Sequence, residues 1–91
     1  MSFWGNHQID RLWRNICVHE GETFYTVRKI EYRYTVKDNY ILINNDPRRR
    51  IAKTHFEKAL QIKNPSPAAI NREGIWGPSY VYGIITDSRM Q

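Results

Sequence analysis

The chain has 91 residues, of which 41% are apolar or aromatic and 25% are charged, and its formal net charge is +5. This composition excludes a disordered chain and predicts one compact domain, residues 1–91, that buries its own core. No apolar run approaches the roughly 18 residues of a membrane span, the N-terminus lacks a signal-peptide segment, and the single Cys17 cannot form an internal disulfide. We therefore expect a soluble, cytoplasmic protein with no membrane contact.

The first predicted element is an amphipathic helix over residues 8–18, with Asn6 as its N-cap. Its apolar residues recur at helical spacing and make one face, formed by Ile9, Leu12, Trp13, Ile16 and Cys17. Because Cys17 belongs to this face, it is expected to be a buried thiol.

Three strands are predicted next, over residues 22–27, 30–37 and 40–45. The first is rich in β-branched and aromatic residues. In the second, apolar residues alternate strictly with polar ones, which is typical of a half-buried strand. Arg28 and Lys29 make a poor tight-turn pair, so a bulge or irregular loop is expected between the first two strands.

The second and third strands are predicted to form a hairpin. The Asp-Asn pair at residues 38–39 tolerates the positive φ of tight turns. A two-residue loop places Val36 opposite Ile41, and Tyr34 opposite Ile43, on an apolar face. The polar face then carries the cross-strand pairs Lys37 with Tyr40, Thr35 with Leu42, and Arg33 with Asn44.

Pro47 is expected to end the third strand and to begin a loop that contains Arg48, Arg49 and Arg50. A second helix is predicted over residues 55–63. Thr54 and Glu57 have the spacing of a capping box, in which each side chain satisfies a backbone N–H at the start of a helix.

The last third of the chain is rich in loops. Ser66 is a plausible cap for one short helical turn that reaches Ile70. Residues 79–90 are compatible with a strand or a buried helix, and we favour the helix although Gly83 disfavours it by about 1 kcal/mol relative to alanine. The predicted fold is therefore α+β, with a three-stranded antiparallel sheet packed against two or three helices.

Several short phrases resemble a small bacterial module that has no assigned activity. They are Gly21-Glu22 with Phe24, Tyr32-x-Tyr34, Ile51-x-Lys53-x-x-Phe56-Glu57-Lys58-Ala59-Leu60, Gly77-Pro78-Ser79-Tyr80 and Asp87-x-Arg89. The resemblance covers most of the chain and implies a bacterial or mobile-element origin. It supplies no chemistry, and the basic run at residues 47–50 lies outside the shared pattern.

The basic charge is concentrated in the middle of the chain. Eight of the 14 Lys and Arg residues lie between residues 28 and 53, with only three of the nine Asp and Glu residues, so this stretch carries the whole net charge of +5. Such a concentration favours a polyanionic partner, first of all nucleic acid, although a solvated face that only aids solubility has the same composition. The candidate phosphate-binding residues are Arg33, Lys37, Arg48, Arg49, Arg50 and Lys53, and Tyr40 is the candidate for stacking on bases.

Exposed aromatic residues support an alternative hypothesis, a protein-interaction module without nucleic-acid binding, either homodimeric or an inhibitor or adaptor from a mobile element. Trp4 and Trp76 lie in glycine-flanked segments, and Tyr80 is close to the second of them. Such residues often anchor protein interfaces.

Enzymatic activity is not expected, because no catalytic constellation is evident. His7, His19 and His55 are widely spaced, and one cysteine cannot complete a zinc site of known spacing. A nuclease would need clustered carboxylates that hold Mg²⁺. We predict no catalytic residue, no metal site and no cofactor.

Overall fold

The computed structural model describes the backbone of residues 3–91, with side chains from residue 8 onward. The helices in this part of the chain are α1 (Phe3–Val18), α2 (Lys53–Leu60), α3 (Pro67–Arg72) and α4 (Pro78–Ile85), with a 3₁₀ turn at Ser88–Met90. The strands are β1 (Phe24–Tyr25), β2 (Glu31–Tyr32), β3 (Tyr34–Val36), β4 (Tyr40–Ile43) and β5 (Arg50–Ala52). Among the described helices, none has both the length and the apolar character needed to cross a membrane.

Helix α1 is longer than the predicted helix. It begins at Phe3, so Asn6 lies inside it and is not the N-cap. The apolar face is buried as predicted, except that Cys17 is exposed. Cys17 follows Ile16 by one residue, about 100° around the helix, which places its side chain beyond the edge of the buried face.

The hairpin of β3 and β4 has the predicted register. Tyr34 lies opposite Ile43, and Val36 lies opposite Ile41. The turn itself differs from the prediction, because the positive-φ non-glycine residues of the described chain are Lys29, Asn44 and Asn45 rather than those at 38–39. Side-chain alternation and the length of the loop were sufficient to predict the register.

The strands form two sheets instead of the one predicted. The segment 30–37 is divided at Arg33, so that β2 pairs with β1 while β3 pairs with β4. The third strand of the larger sheet is β5, where Ile51 lies opposite Ile41. The expected arginine loop therefore ends in a strand. The α+β class and the three-stranded antiparallel sheet with helices are confirmed, and the chain segments that build the sheet are corrected.

The helix boundaries explain why one capping prediction is wrong and another is confirmed. Helix α2 starts directly after β5 with Ala52 at its N-cap, so Thr54 already lies within the first turn and caps nothing. The helix ends before residue 63. By contrast, the Ser66 hydroxyl accepts a hydrogen bond of 3.1 Å from the Ala69 N–H at the start of α3. The last segment is the helix α4, as favoured from the sequence.

The helices pack on one side of the three-stranded sheet. Ile41, Ile43 and Ile51 project into the core that they share with the helices. The Tyr34 hydroxyl donates a hydrogen bond of 2.6 Å to the carbonyl of Ile16, which joins the sheet to α1. Burial raises the pKa of Tyr34, because the phenolate would lose its hydration.

Arg89 closes the fold at the end of the described chain. Its guanidinium makes two hydrogen bonds of 2.9 Å to the Asp87 carboxylate, one of 3.1 Å to Glu22 and one of 3.0 Å to the carbonyl of Thr23. The same group lies 3.7 Å from the centroid of the Phe24 ring. We call this set of contacts the Arg89 clasp. Hydrogen bonding from Arg89 lowers the pKa of Asp87, and hydrogen bonds from His19 and Arg89 lower the pKa of Glu22.

Candidate nucleic-acid interface

One face of the three-stranded sheet points away from the helices, and we call it the outer face. Arg50 on β5 lies opposite Leu42, which lies opposite Thr35 on β3. The Lys37 N–H donates to the Tyr40 carbonyl, so the ladder continues through this residue and its side chain projects on the same side as Thr35. Arg33 lies between β2 and β3, and it lines one shallow depression together with Thr35. All three cations are exposed, and none forms an ion pair with another described residue. The outer face thus combines three sequence-predicted site residues.

Tyr40 lies on the outer face beside Arg50. The Arg50 guanidinium carbon is 4.2 Å from the centroid of the Tyr40 ring, a cation–π contact. One side of the ring is therefore already occupied, and stacking of Tyr40 on a base as predicted would have to use its other side. The cation–π contact holds the Arg50 guanidinium over the sheet.

The three consecutive arginines do not act as one cluster. Arg48 and Arg49 both approach the Asp46 carboxylate, at 3.3 and 3.6 Å, while Arg50 belongs to the outer face. Backbone and side-chain hydrogen bonds from Arg48 lower the pKa of Asp46. Arg49 also donates a bond of 3.4 Å to the Tyr80 hydroxyl, on the helical side of the sheet. Internal pairing thus reduces the charge that Arg48 and Arg49 offer a ligand.

The Lys53 side chain turns toward α1, while its backbone N–H donates a hydrogen bond of 2.7 Å to the Asn39 carbonyl in the turn between β3 and β4. Its ammonium group is 3.8 Å from the Asp10 carboxylate and 5.9 Å from the centroid of the Trp13 ring, both on α1. The Lys53 side chain therefore links the start of α2 to α1. That Lys53 contacts phosphate together with the hairpin stays a prediction, and its side chain turns toward α1 where the chain enters α2.

A second feature is an open cleft of about 720 Å³ between the β1–β2 hairpin and the start of α4. We call it the aromatic cleft; among the residues that line it are Thr26, Val27, Ile30, Ile75, Trp76 and Tyr80. Trp76 and Tyr80 stack with ring centroids 6.0 Å apart and planes inclined by 28°. The structure thus brings together two of the three residues predicted for a protein interface, and the side chain of the third, Trp4, lies outside the described residues.

Sequence reasoning missed the apolar tip of the β1–β2 hairpin. Val27 is 60% exposed and Ile30 is 57% exposed, although the sequence predicts a half-buried strand that begins at residue 30. Lys29 has a φ of 67°, and the turn that it makes places Ile30 at the tip, before β2 begins. The sequence did contain a signal for this exposed tip. Val27 and Ile30 flank Arg28 and Lys29, a poor tight-turn pair, and apolar residues beside an irregular turn have no sheet partner to cover them.

The histidines and the cysteine do not assemble into a site within the described residues. No three His, Cys, Asp or Glu side chains there approach closely enough to hold a metal ion. His19 Nδ1 lies 2.9 Å from the Glu22 carboxylate at the edge of the Arg89 clasp. His7 lies outside the described side chains.

Comparisons with protein-family models, with curated proteins and with solved structures found no match. The resemblance to a bacterial module stays a prediction, and the functional argument depends on the site geometry alone.

Proposed function

We propose that this protein binds nucleic acid through the outer face of its three-stranded sheet, mainly by contacts with phosphates. One observation carries the proposal: Arg33, Lys37 and Arg50 project from one open face with no carboxylate partner among the described residues. Phosphate contacts release counterions, and an unpaired cation makes them without first breaking an internal ion pair.

The spacing of these cations suits an extended polyanion. Arg33 and Lys37 are four residues apart along the chain, which corresponds to about 13 Å in an extended strand. Successive phosphates of one nucleic-acid strand rise by about 3.4 Å along a duplex, so the two side chains reach across about four nucleotides. Arg50 lies two strands away and widens the contact. Contacts of this kind position a nucleic acid without reading its bases, so little sequence selectivity is expected.

Arg48 and Arg49 extend this surface but contribute less to phosphate binding. Arg48 is highly exposed, but Asp46 lies between it and Arg49 and offsets part of their charge. We therefore assign the main electrostatic role to the outer face and a secondary one to Arg48. Tyr40 contributes by orienting Arg50.

The test is the salt dependence of binding. Arg33→Gln, Lys37→Gln and Arg50→Gln are combined in one variant, and binding to a labelled oligonucleotide is titrated at several salt concentrations. The slope of log K against log salt should become shallower by about two to three, because each phosphate contact contributes about 0.7 to 0.9. Glutamine at residue 33 retains a donor for the Thr23 hydroxyl, which the Arg33 side chain now contacts.

The matched control removes the same charge from the helical side of the molecule. Arg11 and Arg14 on α1 and Lys63 after α2 are exposed, and they are replaced together by glutamine. This variant should keep the slope of the unchanged protein. If the slope of log K against log salt becomes shallower by the same amount in both variants, binding depends on net charge alone. That result would overturn the assignment to the outer face.

The aromatic cleft favours the alternative, a protein-interaction module, because exposed apolar side chains surround it. Such binding would resist moderate salt and weaken when Trp76 is truncated, whereas loss of the outer-face cations would leave it unchanged.

A further inference from the structure

The aromatic cleft has the size and lining of a ligand site. Its volume of about 720 Å³ lies within the roughly 300–1,000 Å³ typical of small-molecule pockets. Thr26 and Ile75 are buried at its base, and Trp76 remains 45% exposed at its edge. The cleft thus offers both covered apolar surface and an accessible aromatic ring.

The turn before α4 fixes the aromatic side of the cleft. Gly77 has a φ of 67°, in the left-handed region, and a Cβ atom there would lie 3.1 Å from the Tyr80 ring. Glycine therefore allows the chain to bring Trp76 close to Tyr80. Trp76 stacks on Tyr80 and remains partly exposed, so its ring offers a flat surface of the kind on which a planar ligand can stack.

The charge around the cleft is positive. Arg28 is among the residues that line it, and the Arg49 guanidinium donates a hydrogen bond to the hydroxyl of Tyr80, another lining residue. No Asp or Glu is among these described lining residues. A ligand that fits is therefore flat and apolar on its faces and is attached to an anion.

We propose that the aromatic cleft receives an unpaired base of a single-stranded nucleic acid. The proposal rests on the proposed function, because the phosphates on either side of the base would continue over Arg49 and Arg48 toward the outer face. Arg49 connects the two sites: its side chain contacts Tyr80, and its neighbour Arg50 belongs to the outer face. A duplex keeps its base faces stacked inside, so the cleft confers a preference for single strands.

An acidic peptide with an aromatic side chain is the competing occupant. The cleft and the outer face are both positively charged, and this favours nucleic acid. One strand can place its phosphates on both surfaces while it presents a flat base at regular intervals. Stacking depends on the aromatic ring itself. Packing of a peptide side chain depends mainly on apolar surface, which leucine also provides.

The experiment compares Trp76→Leu with the unchanged protein on three oligomers of equal length. These are oligothymidylate, its duplex with oligoadenylate, and a single strand in which every base is replaced by an abasic unit. Trp76→Leu should weaken binding of oligothymidylate at least about fivefold, the low end of the effect of losing one base stack, and leave the duplex and the abasic strand unaffected. Val18→Ala is the control, since Val18 is an exposed apolar residue on α1 away from the cleft.

The outcomes separate the two proposals. Equal affinities for oligothymidylate and the abasic strand, or a Trp76→Leu variant that loses nothing, overturn the base site while phosphate binding on the outer face stands. Failure of all three oligomers to bind overturns both proposals, as does capture of only an acidic aromatic peptide in the cleft. Photo-cross-linking of 5-bromouracil in the oligomer, mapped by mass spectrometry, should label Trp76 or Tyr80, and labelling elsewhere only would also refute the base site.

Discussion

Replacing Gly83 by alanine tests how closely α4 packs on the smaller sheet. A Cβ atom at residue 83 would lie 2.7 Å from the Tyr32 hydroxyl oxygen and 2.9 Å from the Tyr25 carbonyl oxygen. The Tyr32 hydroxyl cannot move freely, because it donates a hydrogen bond of 3.0 Å to the carbonyl of Tyr80. Helix propensity by itself predicts that alanine stabilises the protein by up to about 1 kcal/mol. Overpacking typically destabilises by about 1–3 kcal/mol, and loss of the hydrogen bond adds about 1 kcal/mol.

The net expectation is a free energy of unfolding lower by about 1–3 kcal/mol, measured by urea denaturation followed by tryptophan fluorescence and circular dichroism. Tyr32→Phe removes the nearer of the two crowding atoms. The double variant Gly83→Ala with Tyr32→Phe should therefore be more stable than the sum of the single changes predicts, by at least about 0.5 kcal/mol. A Gly83→Ala protein as stable as the original would refute this account of the packing between α4 and the smaller sheet.

Two further changes test the helix cap and the Arg89 clasp. Ser66→Ala should lower the free energy of unfolding by about 1 kcal/mol, because it removes the cap of α3, whereas Thr54→Ala should change it by less than about 0.5 kcal/mol in the same denaturation assay. The pKa of Asp87 is lowered in the folded protein, so its pairing stabilises the fold above the ordinary carboxylate range, and this stabilisation is lost as the pH falls through the lowered pKa. Arg89→Met should be less stable at pH 7, and its deficit should shrink as the pH falls from about 5 to about 2; a deficit constant over that interval would exclude a charge-dependent role.

The sequence predicts those parts of the fold that local pattern determines. The register of β3 with β4 follows from strict alternation and a short loop, and the Ser66 cap follows from one hydroxyl placed before a proline. Strand β5 was missed because Arg50 lies in a basic run with weak strand propensity, and only pairing with β4 makes it a strand. The division at Arg33 depends on the pairing of β2 with β1 and of β3 with β4. Local sequence does not determine these pairings.

For the candidate site, the sequence predicted which charged residues take part but not how they are arranged in space. Alternation predicted that Arg33 and Lys37 are exposed, and both are. It did not reveal that Lys53 turns toward Asp10 or that Asp46 pairs with Arg48, because both contacts depend on how loops and helices fold back.

Most phrases of the family resemblance have structural roles. Tyr32 and Tyr34 are buried, and their hydroxyls bond to backbone carbonyls of other elements. Glu22, Phe24 and Arg89 meet in the Arg89 clasp. These contacts give Tyr32, Tyr34, Glu22, Phe24 and Arg89 a structural role in this fold.

The Arg89 clasp also affects how the protein is made. Glu22 and Arg89 are separated by 67 positions, so β1 emerges from the ribosome long before its partner has been synthesised. Until then the Phe24 ring packs against Tyr32 and Tyr34 but lacks the Arg89 guanidinium that lies over it in the folded protein. The Arg89 clasp can therefore form only after residue 89 has been synthesised.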